Sequence, residues 1–192
     1  MSRIPRLAIS TRVRSVAMFF LVTTSVSCGG APPGKFDSMP VYAALLRSVA
    51  DSVTDGSYLV VDRKTWAPPD GPKLLSWLHA SRALVRSFRS ANLQPTALPN
   101  NGLPVPLLDR SLRSIVDSQG SAAWWNGVIK FYGNRSVDLL ILSRPGFSSD
   151  GATAVLHYQV YCGGRCGTAH VAELAVRDRE WVVIRDVGYG IS

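Results

Sequence analysis

Thr153-Ala-Val-Leu-His-Tyr-Gln-Val-Tyr161, Cys162-Gly-Gly-Arg-Cys166 and Thr168-Ala-His-Val-Ala-Glu-Leu-Ala-Val176, read in succession, decide the fold. The outer stretches are rich in β-branched, aromatic and apolar residues, and Gly163-Gly164 supplies the positive-φ freedom that a tight reversal needs. So short a link joins antiparallel neighbours and leaves no room for a helical crossover. If residue 162 pairs with 166, Tyr158 opposes His170 and His157 opposes Val171. Side chains alternate between the faces of a strand. Leu156, Tyr158, Val160, Thr168, Ala172, Leu174 and Val176 therefore share one largely apolar face with His170. His157, Gln159, Tyr161 and Glu173 take the reverse face, which is mixed and is expected to be solvated or to bind a partner.

Outward from this hairpin, Val137–Leu142 and Trp181–Val187 read as two further strands, set off by the turns Ser148-Ser-Asp-Gly151 and Arg177-Asp-Arg-Glu180. With Asp178-Arg179 as the tip, Val176 opposes Trp181 and Leu174 opposes Val183. Upstream the period changes to that of helices. Ser38 and Pro40 suit a first turn, Tyr42, Leu45, Leu46, Val49 and Val53 recur on one face, and Asp55-Gly56 stops the run. Tyr58–Val61 reads as a short strand and Trp66–Gly71 as a loop. A second helix is expected from Pro72 to about Phe88, with Leu74, Leu78, Val85 and Phe88 inward and Arg82, Arg86 and Arg89 on other faces. The proline-rich stretch 92–106 reads as a loop or hinge. Further helices are expected over Leu107–Val116 and Ala122–Tyr132. The expected fold is α+β: N-terminal helices, within 38–132, packed on one face of a four-strand antiparallel meander, 137–192, in a single domain 38–192.

The 192 residues are 46% hydrophobic and 18% charged, which suits one folded domain and excludes wholesale disorder. The net charge of +8 resembles a nucleic-acid binder's, but Arg3, Arg6, Arg12 and Arg14 all precede residue 15 and no acid precedes Asp37. Loss of residues 1–27 would halve the excess to +4. Those residues divide into an arginine-bearing segment, the apolar run Val16–Val22 and the small or β-branched residues Thr23–Ser27. That is the pattern of a signal peptide, with an apolar part too short to span a bilayer. Ser25-Val26-Ser27-Cys28 resembles a bacterial lipobox, departing from it at Ser25, where leucine is usual. The resemblance implies that Cys28 is acylated and becomes the mature N-terminus. Residues 28–37, with Gly29-Gly-Ala-Pro-Pro-Gly34, would then serve as a flexible tether. By resemblance to lipoprotein sorting rules, Gly29 in place of aspartate implies the outer membrane in a Gram-negative source. Ordinary cleavage and secretion is the alternative. Outside the cytosol, the arginines of helix two and Arg110 and Arg113 read as solvated helix faces, so no nucleic-acid partner is expected.

Lipidation of Cys28 leaves Cys162 and Cys166 as an even pair. A three-residue hairpin loop sets their Cα atoms about 5.5 Å apart, within disulfide reach, and an oxidising compartment favours the bridge. Closing so small a loop contributes about 2 kcal/mol. Zinc held by these cysteines with His157 and His170 is the competing reading, but the register sends His157 to the opposite face, and the Cys-x3-Cys spacing differs from the usual pair. A redox dithiol is a further alternative, placed on a hairpin tip and not at the helix N-terminus that stabilises thiolates. No metal and no cofactor is expected.

Gly-x-Ser-x-Gly, Ser-x-x-Lys, Gly-x-x-x-x-Gly-Lys-Ser/Thr and His-Glu-x-x-His are all absent from the sequence. The candidate catalytic residues are His170 and Tyr158, with Asp186 as a partner, although a single histidine on an apolar face is more often a hydrogen-bonded core residue. Ser143-Arg-Pro-Gly-Phe147, Asp150-Gly151, Cys162-Gly-Gly-Arg-Cys-Gly167, Trp181 and Ile191-Ser192 together resemble a C-terminal unit that recurs in uncharacterised exported bacterial proteins. The resemblance spans about the last quarter of the chain and implies a meander but no catalytic residue. Helices packed on a curved antiparallel sheet are also similar in architecture to NTF2-like and cystatin-like domains, which host both enzymes and binders. The expected function is that of an exported, lipid-anchored protein of the bacterial cell envelope. It would bind a protein, peptide or envelope ligand, with Trp66, Trp124 and Tyr189 as exposed aromatics. The alternative is an NTF2-like enzyme, a hydrolase or isomerase with a pocket between helices and sheet.

Overall fold

The apolar period over residues 41–49 folds as helix α1, Met39–Ser52, with Val41, Tyr42, Leu45, Leu46 and Val49 buried on its inner face. Proline sits in its first turn, where a missing N–H costs nothing. Ser38 stands at the N-cap in helical geometry without a side-chain cap bond. The Asp37 carboxylate instead accepts the Met39 N–H at 2.9 Å. The computed structural model describes residues 36–53, 57–66, 75–112, 121–133, 135–162 and 167–190, without the side chains of 121–124. The leader, the lipobox, Cys28, Cys166 and the side chain of Trp124 lie outside the described residues.

After α1 come strand β1, Tyr58–Val61, a 3₁₀ turn, Leu75–Leu78, helix α2, Arg82–Ala91, and helix α3, Ser121–Phe131. Five strands follow: β2 Val137–Leu142, β3 Gly146–Phe147, β4 Thr153–Tyr161, β5 Gly167–Arg177 and β6 Glu180–Gly190. The expected helix from Pro72 to Phe88 is broken. His79 takes a φ of 53° between the 3₁₀ turn and α2, and Ser81 caps α2 by accepting the Leu84 N–H at 3.2 Å.

The class is α+β, as expected, but the sheet is wider than the four expected strands, which pair antiparallel as β2-β4-β5-β6. The sheet has six strands in the order β1-β2-β4-β5-β6, with β3 paired to β4. It is mixed, because β1 runs parallel to β2 while the remaining pairs are antiparallel. The reason lies in β1 itself. Leu59, Val60 and Val61 are all buried, so the strand needs cover on both faces and a neighbour along its length. The long connection from 62 to 136 carries helices and so permits a parallel crossover.

A second correction concerns the faces. On one, α1 packs over Leu140, Leu142, Leu156, Tyr158, Ala172 and Leu174, with Trp181 and Val183 at the margin. This is the apolar face read from the sequence, although Thr168 and Val176 at its ends are exposed. The reverse face is not open. At one end Trp125 and Val128 of α3, with Leu108 and Leu112, cover Val60, Val137 and Leu139. At the other, Leu75, Leu78, Leu84 and Phe88 cover Val155 and Val171. α2 lies so close to β3 that a Cβ on Gly146 would stand 2.4 Å from the Phe88 backbone nitrogen. Asn92 locks this contact, donating to Phe88 O at 2.9 Å and Arg144 O at 2.8 Å and accepting from Arg144 N–H at 2.8 Å.

Candidate functional site

The hairpin register holds as read from the sequence: Tyr158 pairs with His170 and His157 with Val171. Across the next turn Val176 opposes Trp181 and Leu174 opposes Val183. Between Glu173 and Leu174 the register then shifts, and Ile184 is the extra residue on β6. Without that bulge Asp186 would lie opposite Val171, on the face away from His170. With it, Asp186 pairs with Ala172 and shares the face of His170, while Tyr189 pairs with Ala169 and shares the face of His157. One inserted residue thus aims two side chains at two histidines.

On the α1 face the three sequence candidates come together. His170 Nδ1 lies 3.0 Å from Asp186 Oδ1, and the Tyr158 hydroxyl donates to the other Asp186 oxygen. The His170 ring stacks on Tyr158, centroids 4.6 Å apart and 14° from parallel. Its Nε2 is 3.0 Å from Thr168 Oγ1. Gly188 makes room for the ring, since a Cβ there would stand 2.8 Å from His170 Cε1. Tyr158 is buried, and burial first, then the Asp186 carboxylate, raises its phenol well above the ordinary tyrosine range. The chain Thr168–His170–Asp186 has the order of hydroxyl, base and orienting carboxylate that nucleophilic catalysis uses. It sits at the rim of the α1 core, where His170 and Asp186 keep 24% and 36% of their side-chain surface.

The sequence names Trp66 and Tyr189 as exposed aromatics and puts His157 on the mixed reverse face; the structure brings the three together at His157, which is fully buried and not solvated. Its Nε2 is 2.7 Å from the Tyr189 hydroxyl, and its buried Nδ1 has no hydrogen-bond partner among the described residues. Trp66 lies against the ring at 6.0 Å between centroids and Tyr189 at 6.1 Å. Trp77 extends the row, meeting Tyr189 edge-on at 5.1 Å. Backbone bonds fix the histidine: its N–H donates to Ser143 Oγ at 2.8 Å, and its carbonyl accepts from Ser143 N–H at 2.9 Å. Trp66 N–H donates to Leu142 O on the neighbouring strand, at 2.8 Å. Gln159, also buried, lies beside it on this face and accepts the Tyr161 hydroxyl at 2.8 Å. Burial pushes the His157 imidazole down to about 4, helped by the charge of His170, so the ring is neutral at ordinary pH.

The row thus runs from Trp66, 40% exposed, through buried His157 to Tyr189 and Trp77, 46% exposed. It crosses the gap between the two apolar clusters of the reverse face. Periodicity could not find Trp77, which stands on the 3₁₀ turn, exposed and edge-on to Tyr189. The two histidines lie on opposite faces, and among the described residues no three His, Cys, Asp or Glu side chains group as a metal ion would require. Cys162 is exposed just beyond β4, where Tyr161 pairs with Gly167, and Cys166 lies outside the described residues. No family model, no curated protein and no solved structure matches this chain.

Proposed function

We propose that this chain is an exported protein of the bacterial cell envelope, anchored through lipid on Cys28, whose folded domain is a binding module. The observation that carries the reading is the row Trp66–His157–Tyr189–Trp77, in which half-exposed indoles stand at the two ends and a buried, neutral histidine lies between them. Apolar rings at a surface are retained against their hydration cost where they meet a partner, and convergent polar atoms beneath them give that contact direction. The leader, the uncharged spacer from Gly29 to Gly34 and the lipobox-like Ser25–Cys28 support the location. A bridge between Cys162 and Cys166 belongs to the same proposal, since their spacing in the sequence suits a hairpin link that an oxidising compartment would bridge. Mass spectrometry of exported protein should then show the loss of two hydrogens from the dithiol.

Two measurements test the reading. Radiolabelled palmitate should enter the wild-type protein and not Cys28→Ala; no label in either removes the anchor. The detergent-released wild type should co-sediment saturably with isolated envelopes, and Trp66→Ala combined with Trp77→Ala should weaken this at least ten-fold. Wild type that stays in the supernatant would end the envelope-binding reading.

A hydrolase or isomerase is the second reading, favoured by the Thr168–His170–Asp186 chain with Tyr158 behind it. Here His170 would take a proton from Thr168 or from a substrate, and Asp186 would hold the imidazole in place. Turnover of a chromogenic ester by wild type, lost a hundred-fold in His170→Ala, would replace the binding module with this enzyme. Envelope binding left unchanged by His170→Ala would keep the two faces functionally separate.

A further inference from the structure

Helix α2 is basic on its outer side, and no described residue balances the charge. Arg82, Arg86 and Arg89 recur at spacings of four and three, which sets them on one face, turned away from buried Leu84 and Phe88. All three are exposed, and none makes an ion pair or a side-chain hydrogen bond among the described residues. The sequence around them holds no acid: between Asp70 and Asp109 the charged residues are Lys73 and these three arginines. On the strands beneath, Glu173 stands opposite Arg185, a pair with no excess of either sign. Helix α1, on the other side of the sheet, carries one base, Arg47, and one acid, Asp51. Two residues beyond α2, Leu93 is 81% exposed, more than any other large apolar side chain among the described residues.

The chain that leads to the anchor ends beside this helix. Phe36, the first described residue, packs on Phe147 of β3 with ring centroids 5.3 Å apart. The Phe147 N–H in turn donates to Ser87 Oγ of α2 at 2.9 Å. The tether thus meets the fold across one two-residue strand from α2. Eight residues separate Phe36 from Cys28, at most about 29 Å of extended chain, against about 10 Å for one packed layer. The tether is long enough to round β3 and lay the arginine face on a bilayer. We infer, resting on the lipid anchor proposed for Cys28, that the outer face of α2 docks on the membrane that holds the anchor. Arg82, Arg86 and Arg89 meet anionic phospholipid headgroups, and Leu93 enters the apolar boundary beneath them. Each arginine at such a surface strengthens binding about five-fold. The lipid holds the protein at the membrane, and the arginines select the side that faces it. With α2 against the bilayer, α1 and the Thr168–His170–Asp186 rim on the opposite face of the sheet point away from it.

The test uses the full-length protein released from membranes in detergent and reconstituted into vesicles. These are phosphatidylcholine alone, or phosphatidylcholine mixed three to one with phosphatidylglycerol. A fluorophore on Ser90→Cys, an exposed position on α2, is read against a quencher carried on lipid headgroups, and the signal of protein without this substitution is subtracted. Quenching should be about three-fold stronger in the mixed vesicles, and about 0.5 M salt should remove the difference by screening. Arg82→Ala, Arg86→Ala and Arg89→Ala combined should also remove it, and Leu93→Ser should reduce it about two-fold. The same charge removed at exposed Arg110, Lys130 and Arg135 should leave it unchanged. Each variant's urea midpoint is measured to confirm folding. Equal quenching in the two kinds of vesicle, or a difference that survives the triple substitution, would overturn the inference. So would an emission change with soluble heparin and none with the mixed vesicles, which would make the partner a soluble polyanion. Palmitate on Cys28 without quenching at residue 90 would discard the docking and keep the anchor. No palmitate and no flotation with either kind of vesicle would discard both.

Discussion

Burying a histidine at full depth beside tryptophan and tyrosine has a cost that appears in acid. His157 takes a proton near pH 6.5 once unfolded but only near pH 4 in the fold. Between those values the unfolded chain binds more protons, so stability is greatest above pH 6.5 and falls as pH drops towards 4. The loss is on the order of 3 kcal/mol. Urea midpoints measured from pH 7.5 to 4.5 should fall more steeply for wild type than for His157→Phe, and parallel curves would show that His157 is not neutral in the fold. Opposite it, His170 owes its position to a neighbour with no side chain. Gly188→Ala would put a methyl group 2.8 Å from His170 Cε1, and should cost roughly 1–2 kcal/mol. In the His170→Ala background the same change should be nearly free. A double-mutant cycle with a coupling under about 0.5 kcal/mol would contradict this contact. At this scale the sequence was informative about pairing and silent about burial. Alternation put His157 and His170 on opposite faces, but nothing local to residue 157 announced that α2 and the 3₁₀ turn would close the end of its face.

Among the elements, β6 shows most clearly where the reading of the chain succeeds and where it stops. Its turn was legible because Asp178-Arg179 stands between two strand-like runs, and both residues adopt positive φ, 51° and 70°. These are the conformations of a two-residue hairpin turn that matches strand twist, which glycine or asparagine would adopt with less strain. Arg179→Gly should therefore stabilise the domain, by about 0.5–1 kcal/mol once the added freedom of the unfolded chain is set against the relief at the turn. A lower thermal midpoint in this variant would mean that Arg179 makes a stabilising contact through its side chain. The bulge at Ile184 was not legible, because one extra residue leaves the β-branched pattern intact on both sides of it. Straight pairing would have separated Asp186 from His170, and it is the bulge that brings the candidate triad and the Tyr189–His157 pair into being. Helix α2 was misplaced at its start for a comparable reason: Leu74, Leu78, Val85 and Phe88 fit a helical period, while the left-handed His79 that interrupts it carries no glycine to mark the break.

Across the whole molecule, the part read correctly is the part whose contacts are close in sequence. β4, β5 and β6 are joined by short links, so their order, and their register as far as the bulge at Ile184, follow from local residues. β1 is different: Tyr58 pairs with Val137, and ordering it closes a loop of about 80 residues. No local feature of Tyr58–Val61 says that its partner lies so far away, which is why its strand character was legible and its place in the sheet was not. The same asymmetry should govern folding. Closure entropy opposes the β1–β2 pair until β2 has a platform, whereas the two C-terminal hairpins can form first and offer their faces to α1 and α2. Val171, fully buried between β4 and β6, should already be packed in the transition state, and Val60, fully buried on β1, should not. Val171→Ala is accordingly expected to slow folding, with most of its destabilisation on that limb. Val60→Ala should leave the folding rate almost unchanged and speed unfolding. Stopped-flow chevrons of the two variants decide the order, and the reverse assignment would mean that the parallel pair nucleates the sheet despite its long loop.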